Sequence, residues 1–487
     1  MAASWVTDEL RTADLGDARL DRRFAEVLDQ LSGRPSASIP SACGGYAETA
    51  AAYRLFDNEK VTLDKVLAPH HAATRRRMAD QPVVVLAQDT TEIDVTRPER
   101  QMAGAGPLGD GPRRGLFLHV LHAFTPDGTA LGTVYQECRV RDSDGPDPTR
   151  RRTYKTLPLA DKETYRWLTT LRQAQAVAAA MPSTAVVAVA DSEADIYEVL
   201  VAGQAEPCRL DWIVRAAQDR SATAVANGPE KPGEIAAEAL LRAQVSATPV
   251  VATKAVSVRG RTAKLACEAR GRRQSRDSRT ATVQVRATRV TLRPPYRPGE
   301  TLPPIDVNVV RVSEPNPPPG EPAVEWMLLT SLPIDTPGRI ERVTQLYGVR
   351  WMIEVFFRTL KSGCRVETRR FERVDRFQVC LALYLIATWR TLYACRLGRA
   401  FPDLTCEAIF EPAEWKAAYQ VATNEKPPPQ PPTLRAMIRL VAQLGGYVNR
   451  ARDDEPGPQT VGLGMQRVHD LALCWNLFGP DTDKKDV

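Results

Sequence analysis

Residues 341–361 read ERVTQLYGVRWMIEVFFRTLK and favour one long amphipathic helix. The stretch has no proline, a single glycine, and apolar residues at helical spacing. On a helical wheel of about 100° per residue, Tyr347, Arg350, Glu354, Arg358 and Lys361 fall within one narrow arc. We therefore expect one face of the helix to dock on a core, and the other to carry one phenol, three cations and one carboxylate.

This polar stripe has two interpretations. A charged helix stripe is most often a solvated face, and Glu354 with Arg358 would then form an ordinary i,i+4 ion pair. Alternatively, Glu354 holds a metal ion and the cations beside it hold phosphate. The second interpretation requires further carboxylates from other elements of the chain.

The whole chain has the composition of a soluble globular protein. Of its 487 residues, 43% are hydrophobic and 25% are charged, and the net charge of +6 suits an anionic partner without proving one. The nine cysteines include no C-x-x-C pair, which indicates reduced thiols rather than a zinc site. The N-terminus lacks a signal-peptide pattern and no 18-residue apolar run occurs, so we expect an intracellular protein without a membrane partner.

Two aspartates follow short apolar runs that predict buried strands. Residues 83–87 lead to Asp89, and residues 185–190 lead directly into Asp191. If the two strands are neighbours, both carboxylates lie at the carboxyl edge of a sheet, where open α/β sheets place their sites. The ordinary alternatives are a helix N-cap for Asp191 and a charge that compensates the helix dipole for Asp195.

The order of elements predicts an α/β fold with a mixed sheet flanked by helices. Residues 1–70 are expected to form a helical domain, residues 71–370 the α/β core, and residues 371–487 a helical region suited to association. A β-rich insertion at about 218–324 interrupts the core. Between residues 270 and 297 it holds nine arginines against one aspartate, which fits either an exposed β-surface or a face for the DNA backbone.

Asp89, Asp191 and Glu354 come without an accompanying histidine or cysteine, and such carboxylates suit Mg²⁺ or Mn²⁺. Two such ions about 3.5–4 Å apart activate an attacking oxygen and stabilise the leaving oxygen of a phosphodiester. Arg350 and Lys361 would then hold the non-reacting phosphates. A glycosidase also uses paired carboxylates but needs no cationic stripe beside them. The chain has no G-x-x-x-x-G-K-[ST] loop, which argues against P-loop nucleotide binding.

The sequence resembles the bacterial insertion-sequence transposases of the DDE type, in the subgroup marked by Tyr-x2-Arg-x3-Glu-x6-Lys. Tyr347, Arg350, Glu354 and Lys361 meet every spacing of that pattern. QDTT at 88–91 resembles the segment of the family's first catalytic aspartate, and ADSEADIY at 190–197 resembles that of the second. WMLLT at 326–330 and LGGY at 444–447 are similar to further landmarks of the family.

The resemblance implies an RNase H-like core and cut-and-paste transposition through a DNA hairpin. Asp89, Asp191 and Glu354 would be catalytic and would hold two Mg²⁺ ions, for which Mn²⁺ can substitute. Trp326 would stack on a base flipped from the element end. The alternative interpretation is that Trp326 is a strand residue packed in the core. The predicted DNA-contacting residues are Tyr347, Arg350, Lys361, Trp326, Arg215 and Arg358.

The partners implied by the resemblance are double-stranded DNA and a second copy of the chain in the DNA complex. The DNA would include terminal inverted repeats, read by the first helical domain, and target DNA. The C-terminal region would pair two subunits, and the protein would be cytoplasmic and nucleoid-associated. The loop at 142–152 and much of the insertion show no clear match to the family.

Two rival functions stay open on the sequence. A metal-dependent nuclease on the same core would cut DNA without joining strands. A transposase-derived DNA-binding protein would no longer be catalytic. The presence of all three carboxylates with the cationic stripe argues against catalytic decay.

Overall fold

The computed structural model describes residues 4–97, 99–109, 111–141, 159–205, 209–224, 239–260, 277–297, 301–450 and 453–480. The chain divides into two compact units. One consists of Met1–Lys155 with Trp351–Val487 and is called the split unit below; the other, Thr156–Arg350, is called the central unit. The charged loop at 142–152 and the strand-like segment at 262–271 lie outside the described residues.

Five helices begin the split unit, as the helical pattern of the first 70 residues predicts. Three of them begin at side-chain caps, because Asp17, Ser38 and Thr62 each accept a backbone N–H of the first turn. The short third helix is not evident in the sequence pattern. The five are α1 (Ser4–Glu9), α2 (Ala18–Gly33), α3 (Ile39–Cys43), α4 (Tyr46–Phe56) and α5 (Leu63–Ala79).

Four antiparallel strands follow in the split unit. They are β1 (Val83–Asp94), β2 (Gly106–Pro107), β3 (Arg114–Phe124) and β4 (Ala130–Arg139). Strand β3 pairs with each of the other three. Strands β3 and β4 form a hairpin, and Gly128 in its turn has a φ of +86°, which glycine adopts without steric cost.

Strand β1 corrects the predicted position of Asp89. The apolar run predicts a strand end near residue 87, whereas the ladder with β3 continues to Asp94 and places Asp89 opposite Val120. The β-branched residues Thr90 and Thr91 favour extended backbone beyond the apolar run. Asp89 is therefore an inner residue of its strand.

The central unit contains the parallel strand pair. Its strand order is β5-β6-β11-β10-β9-β7, with β8 also paired to β9. Strands β5 and β6 are parallel, and the other pairs are antiparallel. Strand β5 has the predicted bounds and is buried beyond its first residue, as expected for a parallel strand covered on both faces. The elements are α6 (Tyr165–Ala179), β5 (Ala185–Ala190), α7 (Tyr197–Ala202), β6 (Leu210–Arg215), β7 (Ala222–Ala224), α8 (Leu241–Ser246), β8 (Ala252–Val258), β9 (Arg279–Leu292), β10 (Ile305–Ser313), β11 (Glu325–Thr330) and α9 (Pro337–Val349).

The β-rich insertion supplies strands β7 to β10, as its alternating segments predict. Several of its described arginines lie next to carboxylates. Because those carboxylates neutralise them, the paired arginines are less suited to a face for the DNA backbone than unpaired arginines would be. The pairs are Arg279–Glu314 at 2.5 Å, Arg289–Asp306 at 3.1 Å and Arg297–Glu198 at 2.7 Å.

The C-terminal part of the split unit is helical. The absence of an uninterrupted apolar run predicts no membrane-spanning helix, yet α11 is by length and composition long and apolar enough to cross a membrane. Its most apolar window is 89% buried, and the helix packs on α5 and β4 within the unit. A buried core helix passes the same length and composition test. The helices are α10 (Trp351–Arg358), α11 (Val374–Ala400), α12 (Pro412–Thr423), α13 (Leu434–Leu444) and α14 (Pro458–Phe478).

A buried polar cluster joins the N-terminal helices to the rest of the split unit. Nδ1 of His70 lies 2.5 Å from Oε1 of Glu9, and Arg77 donates to Oε2 of the same carboxylate at 2.7 Å. The N–H of Thr133 donates to Nε2 of His70 at 3.0 Å, and the Arg77 guanidinium lies 4.1 Å from the Trp389 ring centroid. Burial alone would raise the pKa of Glu9, but His70 and Arg77 outweigh it and lower that pKa to about 2. The cluster thus connects α1, α5, β4 and α11.

The predicted fold class is confirmed. Among the described residues, helices flank eleven strands in mixed orientation, and the N- and C-terminal parts are helical. The division into three domains near residues 70 and 370 stays a prediction.

Candidate active site

In the central unit, Asp191 lies where strand β5 ends. Its Oδ1 atom accepts the backbone N–H of Glu193 at 2.9 Å and so caps the short 3₁₀ turn Ser192–Ala194. The N-cap alternative is thus present, but on a single turn, since α7 begins only at Tyr197. Asp191 is half-buried, so capping is compatible with a further role for this carboxylate.

Tyr347, in the central unit, is close enough to three charged residues of the predicted site for them to influence its pKa. Its side chain is 4% exposed, so the placement of Tyr347 on a solvated helix stripe is wrong. Burial raises the pKa of Tyr347, while Arg350 and Arg215 act to lower it and Asp191 acts to raise it. Two cations and one carboxylate therefore act electrostatically on one phenol.

Trp326 lies against Tyr347. The ring centroids are 5.4 Å apart with the planes at 68°, an edge-to-face arrangement that aromatic pairs favour. Trp326 is half-buried on β11, so it is not enclosed in the core. Leu328, two residues further along β11, pairs with Arg215 of β6, and Arg215 and Trp326 therefore lie on the same face of the sheet.

The predicted single helix at 341–361 is interrupted near its middle. Helix α9 ends at Val349 and α10 begins at Trp351. Arg350 between them keeps helical dihedral angles, φ −49° and ψ −36°, but its N–H bonds to the carbonyl of Tyr347 at 3.0 Å, three residues back. The location of the predicted helix is confirmed, and its continuity is corrected.

A second departure from the predicted single helix follows α10. Arg358 ends that helix and is exposed, and the chain then forms a π-helical turn, Thr359–Gly363. The N–H of Cys364 bonds to the carbonyl of Thr359 at 2.9 Å, five residues back. A wheel of about 100° per residue does not hold through such a turn. Lys361 lies inside the turn, so its predicted alignment along one α-helical stripe is wrong.

In the split unit, helix α10 packs on strand β1, so the elements that carry Glu354 and Asp89 are neighbours. Oδ1 of Asp89 accepts the N–H of Thr90 at 2.7 Å. Asp89 and Glu354 are both half-buried, whereas Ile353 and Phe356 on the same helix are fully buried. The apolar face of α10 is therefore docked as predicted, and Glu354 lies outside that face.

Glu367 is a residue of this region that no sequence motif indicates. Its Oε1 atom accepts the N–H of Asp94 at 3.0 Å and lies 3.6 Å from Nζ of Lys361. Arg97 donates to the carbonyl of Glu367 at 2.8 Å. Glu367 thus links the π-helical turn to the end of the strand that carries Asp89. The contact joins positions 273 residues apart, which a local pattern does not reveal.

The three predicted metal ligands divide between the two units. Asp89 and Glu354 belong to the split unit and Asp191 belongs to the central unit. Among the residues that the structure describes, no three His, Cys, Asp or Glu side chains form a group that could hold a metal ion. The donor set itself, three carboxylates, is one that Mg²⁺ and Mn²⁺ prefer. The chemistry of the side chains fits a divalent ion, and their joint coordination stays a prediction.

Three family descriptions match successive parts of the chain. Residues 2–61 match "Transposase DNA-binding", residues 167–390 match "Transposase DDE domain" and residues 386–473 match "Transposase Tn5 dimerisation domain". The matches support DNA binding, dimer formation and a DDE catalytic core, and they support cut-and-paste transposition. The family also implies dependence on a divalent metal.

One similar solved structure is the cryo-EM structure of the piggyBac transposase synaptic complex with hairpin DNA. It is 10% identical in sequence with a TM-score of 0.35, and the match covers 82% of this chain and 72% of that chain. At this TM-score the likeness carries no weight for the fold or for a hairpin step.

The family matches cover part of the predicted site and leave Asp89, which lies between the first two matched segments, outside any match. The DDE match spans Asp191 and Glu354, and the carboxylate, phenol and arginines of the central unit lie within it. The chain belongs to the DDE transposases, as an enzyme of DNA transposition with a DNA-binding domain, a DDE domain and a Tn5-type dimerisation domain.

Proposed function

We propose that this transposase cleaves DNA at the terminal inverted repeats of its element and joins the freed ends to target DNA. The observation that carries the proposal is the polar group of the central unit. In that group Asp191, Arg215 and Arg350 act electrostatically on Tyr347, beside the half-buried ring of Trp326. One carboxylate and two guanidinium groups that act on the same phenol suit a site that handles metal and phosphate together.

Asp89, Asp191 and Glu354 would supply the metal ligands. Two Mg²⁺ ions, or Mn²⁺ in their place, supply charge stabilisation to the attacking and leaving oxygens of a phosphodiester. The assignment is supported by the hard oxygen donors and by the spacing of Glu354 within the Tyr-Arg-Glu-Lys pattern. It requires that the three carboxylates reach the same ions in the DNA-bound enzyme.

The cations of the site would hold the phosphates of the DNA backbone. Arg350 and Arg215 present forked donors that match phosphate oxygens, and Lys361 presents a compact charge. Tyr347, whose pKa is raised by burial, stays protonated at neutral pH and donates through its hydroxyl. Arg358, exposed at the end of α10, would contact the backbone further out.

A hairpin would form after the first nick. The freed 3′-OH would attack the opposite strand, water would reopen the hairpin, and the same 3′-OH would then attack target DNA. Trp326 would stack on the end base once that base has left the duplex. Its half-buried ring, supported along one edge by Tyr347, is compatible with that task.

The outer regions would assemble the complex. Residues 1–70 would read the terminal repeat, residues 71–370 would form the catalytic core with its insertion, and residues 371–487 would pair two copies on two DNA ends. The excess of cations, six by formal charge, suits a nucleoid-associated protein of the cytoplasm.

The proposal is tested with the purified chain and a labelled duplex that carries the inverted repeat found beside the gene. We expect a nick at the element end that depends on Mg²⁺ or Mn²⁺, then a hairpin, then products joined to a target plasmid. A duplex with a scrambled terminal sequence is the control. Cleavage without joining would indicate the nuclease, and binding without cleavage would indicate a non-catalytic descendant.

A further inference from the structure

Asp195 is buried next to the candidate site, and both of its carboxylate oxygens accept hydrogen bonds. As a residue of the first helical turn it is predicted to compensate a helix dipole, but its side chain is 0% exposed and ion-paired, so that interpretation is wrong. Arg220 donates to Oδ1 from Nη2 at 2.6 Å and from Nε at 3.1 Å. Ala217 and Gln218 donate their backbone N–H groups to Oδ2 at 2.8 Å and 2.9 Å.

The two peptide groups held by Asp195 belong to the segment that leaves strand β6. That strand ends at Arg215, and the N–H of the next residue, Ala216, bonds to the carbonyl of Met327 at 2.7 Å. Asp195 then holds the following two peptides. The backbone immediately after Arg215 is therefore fixed by β11 on one side and by Asp195 on the other.

Asp195 is also connected to Asp191 through a short turn. Asp191 caps the 3₁₀ turn that begins after it, and the N–H of Asp195 closes that turn on the carbonyl of Ser192 at 3.3 Å. Arg220 also donates to the backbone carbonyl of Asp195 at 2.7 Å. One short turn thus carries Asp191 at its start and the anchor of the Arg215 segment at its end.

A buried ion pair of this kind contributes little net stability, since the cost of desolvating two charges offsets much of their attraction. It does restrict geometry, because a carboxylate that accepts four hydrogen bonds has one favourable orientation. The Arg220 guanidinium also lies 5.7 Å from the ring centroid of Tyr197, which limits its freedom further. The Asp195–Arg220 pair is therefore better suited to fixing a distance than to stabilising the fold.

We propose that Asp195 is a positioning residue that, together with Arg220, sets the separation between Asp191 and Arg215. This inference rests on the proposed function, in which Asp191 binds metal and Arg215 holds a phosphate of the cleaved strand. When the segment after β6 is released, Arg215 loses its fixed place relative to Asp191, and the scissile phosphate loses its alignment. Misplacement by about 1 Å costs on the order of a hundredfold in rate.

The first test is single-turnover nicking of a saturating terminal duplex by Asp195→Asn. The amide keeps the shape of the carboxylate but turns one acceptor into a donor, so we expect nicking to slow roughly tenfold to a hundredfold. Affinity for the duplex should be unchanged. Glu314→Gln is the matched control, because it disrupts another well-buried ion pair of the central unit, whose bonds go to Arg279 and to the N–H of Val324. Even if Glu314→Gln lowers the Tm as much as Asp195→Asn does, it should nick at the wild-type rate.

The second test asks whether Asp195 acts through Arg215. In an Arg215→Ala background, adding Asp195→Asn should slow nicking by less than about twofold further, since coupled residues are not additive. Independent, multiplicative effects would overturn the inference, as would an Arg215→Ala variant that nicks at the wild-type rate. A wild-type protein that does not nick terminal DNA at all contradicts the proposed function instead.

Arg220→Lys tests the same positioning role if Asp195→Asn does not fold. Lysine keeps the positive charge but cannot donate from Nε and Nη2 together. We expect faster hydrogen exchange at the N–H groups of Ala217 and Gln218, accompanied by slower nicking. Faster exchange at these groups with wild-type nicking would overturn the positioning role.

Discussion

Alanine in place of Asp89, Asp191 or Glu354 is expected to slow nicking of terminal DNA by at least about a thousandfold. Each change removes a proposed metal ligand, metal ions contribute several kcal/mol of charge stabilisation in such reactions, and about 1.4 kcal/mol corresponds to tenfold in rate. Binding of the duplex should be nearly unchanged, since the DNA-binding match lies at residues 2–61. Single-turnover nicking and a mobility assay on the same samples measure both quantities.

Glu193 offers a matched control for these variants. It is two residues from Asp191, its side chain is 60% exposed, and it pairs with Arg166 at 3.2 Å. A surface ion pair of this kind contributes little, so Glu193→Ala should nick at close to the wild-type rate. Wild-type cutting by any one of the three variants would show that the residue concerned does not hold the metal.

Alanine in place of Trp326 is expected to slow hairpin formation roughly 5- to 150-fold, while the first nick stays close to the wild-type rate. Stacking of one base on an aromatic ring contributes about 1–3 kcal/mol, and it begins only when the end base has left the duplex. A time course that separates nicked from hairpin products measures the two steps.

Trp326→Phe is the companion variant. It keeps an aromatic face and a ring against Tyr347, so it should lie between the alanine variant and the wild type in hairpin rate. Equal slowing of both steps by Trp326→Ala would contradict a stacking role for Trp326. In that case the ring has a packing role in the fold, where it contacts Tyr347, and no flipped base stacks on it.

Local sequence patterns predict much of this fold. The apolar run before Asp191 predicts strand β5 with the bounds observed, Ala185–Ala190, because a parallel strand covered on both faces is apolar throughout. The helical pattern of the first 70 residues likewise predicts a helical region, and α1 to α5 all begin within it. The apolar face of α10 is likewise docked as its wheel predicts.

Patterns fail where contacts between distant residues decide the structure. Strand β1 runs past Asp89 because β3 offers it a partner, although the apolar run has ended. The π-helical turn around Lys361 has no signal in the wheel, which assumes one periodicity. Glu367 accepts the N–H of Asp94, 273 positions away, and Arg220 donates to Asp195, 25 positions away. Their partners are visible only in three dimensions.

Catalysis as proposed requires Asp89, Asp191 and Glu354 to act on the same pair of ions. The most direct measurement is the position of Mn²⁺, located by anomalous scattering, in crystals of the transposase with its terminal DNA. We predict two ions about 3.5–4 Å apart that are coordinated by these three carboxylates and by the DNA. Mn²⁺ held by other residues, or three carboxylates that share no ion in the DNA complex, would contradict the account.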